Sequence, residues 1–70
     1  MYGERLKILR KERKVPQKKL SELLGLSLRG YQFYESEDIE PNIKTLIALA
    51  DFYDVSIDYL VGRTDHRERM

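Results

Sequence analysis

The chain has no cysteine and no tryptophan, and only one histidine and two prolines in 70 residues. Without thiols there is neither a disulfide nor a thiolate metal site, so stability must come from packing, at a length near the lower limit for an apolar core. The missing disulfides agree with a reducing compartment. No apolar run approaches the roughly twenty residues that span a bilayer, and Met1 is not followed by a signal-like apolar stretch. The lone histidine, His66, lies near the C-terminus, and no carboxylates cluster at metal or acid/base spacing. No metal, cofactor, small-molecule ligand or enzymatic activity is therefore expected. The exclusions leave one soluble, cytoplasmic domain.

A formal net charge of +1 conceals a strong asymmetry. Residues 1–20 carry eight Lys or Arg against Glu4 and Glu12, whereas residues 35–58 carry seven Asp or Glu against Lys44. A basic end of this kind points to a polyanionic partner. A basic helix taken alone is also an ordinary solvated face, so the charge needs a second signal beside it. The carboxylates of 35–58 are most simply a solvated face.

Periodicity predicts five helices and no strand. Helix one covers Gly3 to Lys14, with Leu6 and Leu9 as its core pair, and is stopped by Val15 and Pro16. Helix two is Gln17 to Leu24, with Leu20, Leu23 and Leu24 on one face; Gly25 supplies the left-handed stop and Leu26 plugs inward. Ser27 caps helix three, Leu28 to about Glu35. Asn42 caps helix four, Ile43 to Tyr53, whose best apolar face is Leu46, Ala50 and Tyr53. Ser56 caps a short helix, Ile57 to Val61, and Gly62 ends it. Residues 63–70 have no core residues and are expected as a flexible C-terminal tail after a domain of residues 1–62.

Helices two and three, hinged at Gly25, are too short to bury much by themselves, so the surface they present is their reason to exist. Such pairs enter the DNA major groove. With Tyr31 and Tyr34 turned inward, the opposite arc of helix three is Leu28, Arg29, Gln32 and Phe33. Arg29 can donate two hydrogen bonds to guanine O6 and N7, Gln32 can pair with adenine N6 and N7, and Leu28 and Phe33 can touch thymine methyl groups. Gly30 in mid-helix costs about 1 kcal/mol relative to alanine. A close helix approach against Ser21 is the expected reason for it.

RLKILR in helix one, PQKKLSELLGLS, the Tyr34-Glu35 pair, Pro41, LIALADFYDVS and IDYLVG occur in that order over about residues 4–62. Together they resemble the Cro and phage-repressor type of helix-turn-helix protein, the xenobiotic-response-element family. The resemblance implies a compact, all-α, five-helix lambda-repressor-like domain. It also implies base reading by Leu28, Arg29, Gln32 and Phe33, and phosphate contacts from Gln17, Lys18, Lys19, Ser27, Asn42 and Arg10. Dimerisation around Asp58, Tyr59 and Val61 is implied as well. The expected function is a homodimeric transcriptional regulator, a repressor, on a palindromic double-stranded operator. Phe33 departs from the family where basic residues are common, and the acidic run Glu37, Asp38 and Glu40 opposes phosphate. Those departures motivate the alternative, an antitoxin-like or anti-repressor interaction module that kept the fold but reads DNA weakly.

Overall fold

The structure is a computed structural model that describes residues 2–69; Met1 and Met70 lie outside it. Five helices follow one another: α1 Tyr2–Glu12, α2 Gln17–Leu24, α3 Leu28–Glu35, α4 Ile43–Tyr53 and α5 Ile57–Leu60. Among the described residues there is no strand, and no helix is long and apolar enough to cross a membrane. The all-α architecture is the expected one, and α2, α3 and α4 have the expected bounds. Helix α1 ends two residues earlier than its periodicity predicts, because Lys14 adopts a left-handed conformation at φ 54°.

One device ends every helix. Lys14, Gly25, Glu37, Asp54 and Gly62 all have positive φ, and the next residue sends its N–H back five positions. These bonds run from Val15 to Arg10 at 3.0 Å, Leu26 to Ser21 at 2.8 Å, Asp38 to Phe33 at 3.0 Å, Val55 to Ala50 at 3.0 Å and Arg63 to Asp58 at 2.9 Å. Helix starts are equally local. The side chains of Ser27, Asn42 and Ser56 accept the N–H of Gly30, Thr45 and Tyr59, as the sequence predicts.

Helix α2 packs on α3, α1 on α3 and α5, and α4 on α5. The core takes Leu6 and Leu9 from α1, Leu20 from α2, Tyr31 and Tyr34 from α3, Leu49, Ala50 and Tyr53 from α4, Val55, and Tyr59 and Leu60 from α5. Two apolar faces differ from expectation. Leu23 is 46% exposed, since only Leu20 and, in part, Leu24 of that face meet a neighbouring helix. On α4 the inward stripe is Leu49, Ala50 and Tyr53, with Leu46 half-buried and Ile43 and Ile47 turned to solvent. Gly30 is explained differently too: a Cβ there would lie 3.2 Å from the capping Ser27 Oγ, while the buried Ser21 donates its hydroxyl to the Lys18 carbonyl. It is the cap of its own helix that crowds Gly30.

The N-terminus of α1 is fastened to the loop after α3. Gly3 N–H donates to Glu37 Oε2 at 3.0 Å and Tyr2 Oη donates to the Ile39 carbonyl at 3.0 Å. A Cβ on Gly3 would fall 2.4 Å from the Glu35 carbonyl oxygen, so glycine is what lets α1 approach. A carboxylate at a helix N-terminus is favoured by the helix dipole.

The segment expected as a flexible tail is laid along the domain through its described residues, 63–69. Arg67 makes two 2.7 Å bonds to the Glu12 carboxylate, and its carbonyl accepts the Ser56 N–H at 2.9 Å. Asp65 accepts from Arg5 at 2.8 Å, and Arg69 pairs with Asp51 of α4. Alternating charge, which periodicity arguments do not read, joins it to α1 and α4.

Candidate nucleic-acid interface

The helix-turn-helix is braced from beneath by a buried carboxylate. Glu35 closes α3 and is 5% exposed, and it accepts four hydrogen bonds. Arg10 donates Nε to Oε2 at 2.6 Å and Nη2 to Oε1 at 3.2 Å; Tyr31 Oη donates to Oε2 at 2.6 Å; and Gln17 Nε2 donates to Oε1 at 3.1 Å. Burial alone would raise its pKa. The hydrogen bonds from Arg10, Tyr31 and Gln17 outweigh burial and hold the carboxyl below its ordinary value. Glu35 is therefore no part of the solvated acidic face to which the sequence reading assigned it.

The same network reaches the presented surface. Gln17 faces Glu35 with its amide nitrogen and accepts Gln32 Nε2 on its oxygen at 3.0 Å. A continuous chain thus runs from the buried Glu35 through the first residue of α2 to an exposed side chain of α3. It orients the Gln32 amide, leaving its carbonyl oxygen and one N–H outward.

Leu28, Arg29 and Gln32 are exposed and Phe33 is half-exposed, all on the arc opposite Tyr31 and Tyr34. The Arg29 guanidinium carbon lies 5.3 Å from the centre of the Phe33 ring. Lys18 and Lys19 are exposed on α2 beside this surface. Ser27 and Asn42 lie exposed at the starts of α3 and α4 with their side-chain oxygens engaged as caps.

Two expected site residues face elsewhere. Arg10, read as a phosphate contact, is the counter-charge of Glu35 and also reaches the Val15 carbonyl at 3.4 Å. Leaving that buried partner would cost more than a solvated phosphate contact returns. Tyr59, read as part of a dimer surface, is 4% exposed, its ring flanked by Arg5 at 4.3 Å and Arg67 at 5.1 Å. Its neighbours Asp58 and Val61 are exposed and half-exposed. Glu35 and Glu37 were the residues sequence reasoning missed as organising groups. The Tyr31–Glu35 spacing of four on one helix was the available signal for Glu35.

A model of the helix-turn-helix family matches residues 6–60, most of the described chain. The chain belongs to the Cro/C1-type helix-turn-helix family. Among its relatives is the uncharacterized HTH-type transcriptional regulator YobD of Bacillus subtilis (strain 168), 43% identical over 93% of this chain and 58% of that protein. A transcriptional regulator from Listeria innocua superposes with a TM-score of 0.85 at 37% identity, over 89% of this chain and 58% of that one. The c2 repressor of Salmonella phage P22, solved in complex with a synthetic operator in the presence of Tl+, superposes with a TM-score of 0.78 at 35% identity. That alignment covers 86% of this chain and 91% of the P22 chain. The chain spans little more than half the length of the first three curated relatives it matches, 53–59%.

Proposed function

We propose that this chain is a sequence-specific, double-stranded-DNA-binding transcriptional regulator, a repressor, that reads the major groove with α3. The observation that carries the reading is the joint exposure of Arg29 and Gln32 on one arc of α3, with Gln32 held through Gln17 to the buried Glu35. A side chain oriented before binding loses less rotamer entropy when it pairs with a base. The P22 repressor's structure with its operator supports the same docking for this domain. Arg29 pairs with guanine, Gln32 with adenine, and Leu28 and Phe33 touch thymine methyl groups. Gln17, Lys18, Lys19, Ser27 and Asn42 set the register on phosphates.

The reading includes a homodimer on a palindromic operator, with half-sites about one helical turn, ~34 Å, apart. Asp58 and Val61, together with the exposed apolar Ile43, Ile47 and Ile57, support a self-complementary surface on α4 and α5. Residues 1–62 form the DNA-binding unit. The acidic loop that motivated an interaction-only role has one carboxylate, Glu37, committed to the Gly3 N–H of α1, while Asp38 accepts the Ser36 hydroxyl at the surface of the loop itself.

The test is selection of bound duplexes from a random pool at stated ionic strength, followed by titration of two variants. Arg29→Ala should relax one operator position by about 1–3 kcal/mol, while Lys18→Ala should weaken all duplexes alike and lower the salt slope by about one. If neither substitution changes duplex affinity at low salt, the interaction-module reading replaces this one.

A further inference from the structure

We infer that Arg29 and Phe33 act as one reader, selecting a guanine whose neighbouring base pair carries a 5-methylpyrimidine; the inference rests on the DNA-binding reading above. Most other arginines of the domain are tied down: Arg5 to Asp65, Arg10 to Glu35, Arg67 to Glu12, Arg69 to Asp51, and Arg13 to the Tyr53 carbonyl. Arg29 has no carboxylate partner among the described residues, and its one contact is the face of Phe33 at 5.3 Å. A stacked guanidinium has its plane set by the ring while its edge N–H groups remain free. Those edge donors are what guanine O6 and N7 accept.

Phe33 is not among the residues of the core cluster or those packed against it. A half-exposed ring on a presented helix face needs another role, and its geometry supplies one. Residues four apart are separated by about 6 Å along the helix axis, and the side chain at the later position leans back over the preceding turn. That offset brings the ring over the neighbourhood of Arg29, 5.3 Å from its guanidinium carbon and so between one and two base-pair rises of ~3.4 Å. When Arg29 bonds guanine, the ring therefore lies against the C5 edge of the adjacent pair. A phenyl ring has no hydrogen-bonding group, so it cannot distinguish the O4 of thymine from the N4 of cytosine. It senses the C5 methyl alone. Thymine and 5-methylcytosine should satisfy it equally, and uracil and unmodified cytosine should not.

The experiment starts from a duplex recovered by the selection and measures affinity by fluorescence anisotropy with the whole chain and with Phe33→Ala. Thymines flanking the Arg29-dependent guanine are replaced singly by deoxyuridine. For the unsubstituted protein one replacement is expected to weaken binding about fourfold per half-site, the factor that burying one methyl-sized group supplies. 5-Methylcytosine at that position should bind about fourfold tighter than cytosine. With Phe33→Ala both ratios should fall to about one, and the guanine preference should weaken because Arg29 has lost its stacking partner. Retained duplex binding with no uracil or 5-methylcytosine effect overturns this inference alone. A selection that recovers no duplex, with the unsubstituted chain binding none at low salt, overturns the DNA-binding reading beneath it.

Discussion

Replacing Arg10 by methionine tests the brace under the helix-turn-helix directly. Arg10→Met keeps most of the side-chain volume and removes the charge, leaving the 5%-exposed Glu35 carboxylate with only Tyr31 and Gln17 as donors. Breaking one half of a buried pair costs about 3–5 kcal/mol. A domain of this size has roughly 0.05–0.15 kcal/mol of stability per residue, or about 3.5–10 kcal/mol in total. The variant should therefore lose from about a third to all of its stability at neutral pH, read as a large fall in the urea midpoint followed by circular dichroism. The double variant Arg10→Met, Glu35→Gln removes the unpaired charge and should recover about 2 kcal/mol of that loss. The pH dependence should change sign. In the unsubstituted protein the Glu35 pKa is depressed, so its contribution is complete above the ordinary value of 4.5 and is lost as pH falls through the folded value. In Arg10→Met burial, the largest influence on that pKa, is opposed only by the Tyr31 and Gln17 hydrogen bonds and raises it, so stability should rise as pH falls from neutrality through the raised value. An Arg10→Met cost below about 1 kcal/mol, or an unchanged sign of the acid limb, would refute the brace.

Two further substitutions test packing. The Tyr53 hydroxyl is buried with no hydrogen-bond partner among the described residues, and burial pushes its pKa up to about 12. Tyr53→Phe should leave stability unchanged or raise it by up to about 1 kcal/mol in thermal unfolding, and a loss beyond about 1 kcal/mol would show that the hydroxyl is satisfied. Gly3→Ala should destabilise by about 1–3 kcal/mol in urea because its Cβ meets the Glu35 carbonyl, despite alanine's better helix propensity. A stabilised Gly3→Ala would mean that α1 does not approach α3 so closely.

Most of the local architecture was legible in the residues themselves. Ser27, Asn42 and Ser56 cap because a short hydroxyl or amide reaches an N–H three positions on, and Gly25 stops α2 because it lacks a Cβ. Leu6 with Leu9 and Tyr31 with Tyr34 point inward because helical spacing puts each pair on one face. The outward arc of α3 followed from the same spacing, and so did the family likeness carried by the ordered motifs. Lys14 and Glu37 were less legible as helix ends. Their left-handed conformation is adopted against intrinsic preference, stabilised by the bonds the chain makes around it.

Residue spacing therefore determined where helices begin and end and which arc of α3 is presented, since those depend on groups within a turn or two of each other. Tertiary structure alone decided the destinations of the charges. Arg10 meets Glu35 across 25 positions, Glu37 meets Gly3 across 34, and Arg67 meets Glu12 across 55. It also decided that Tyr59 turns inward between two guanidiniums. Periodicity describes one face of one helix. A charge is buried, or left free for a nucleic acid, only according to which oppositely charged group the fold brings beside it, and that partner lies far along the chain.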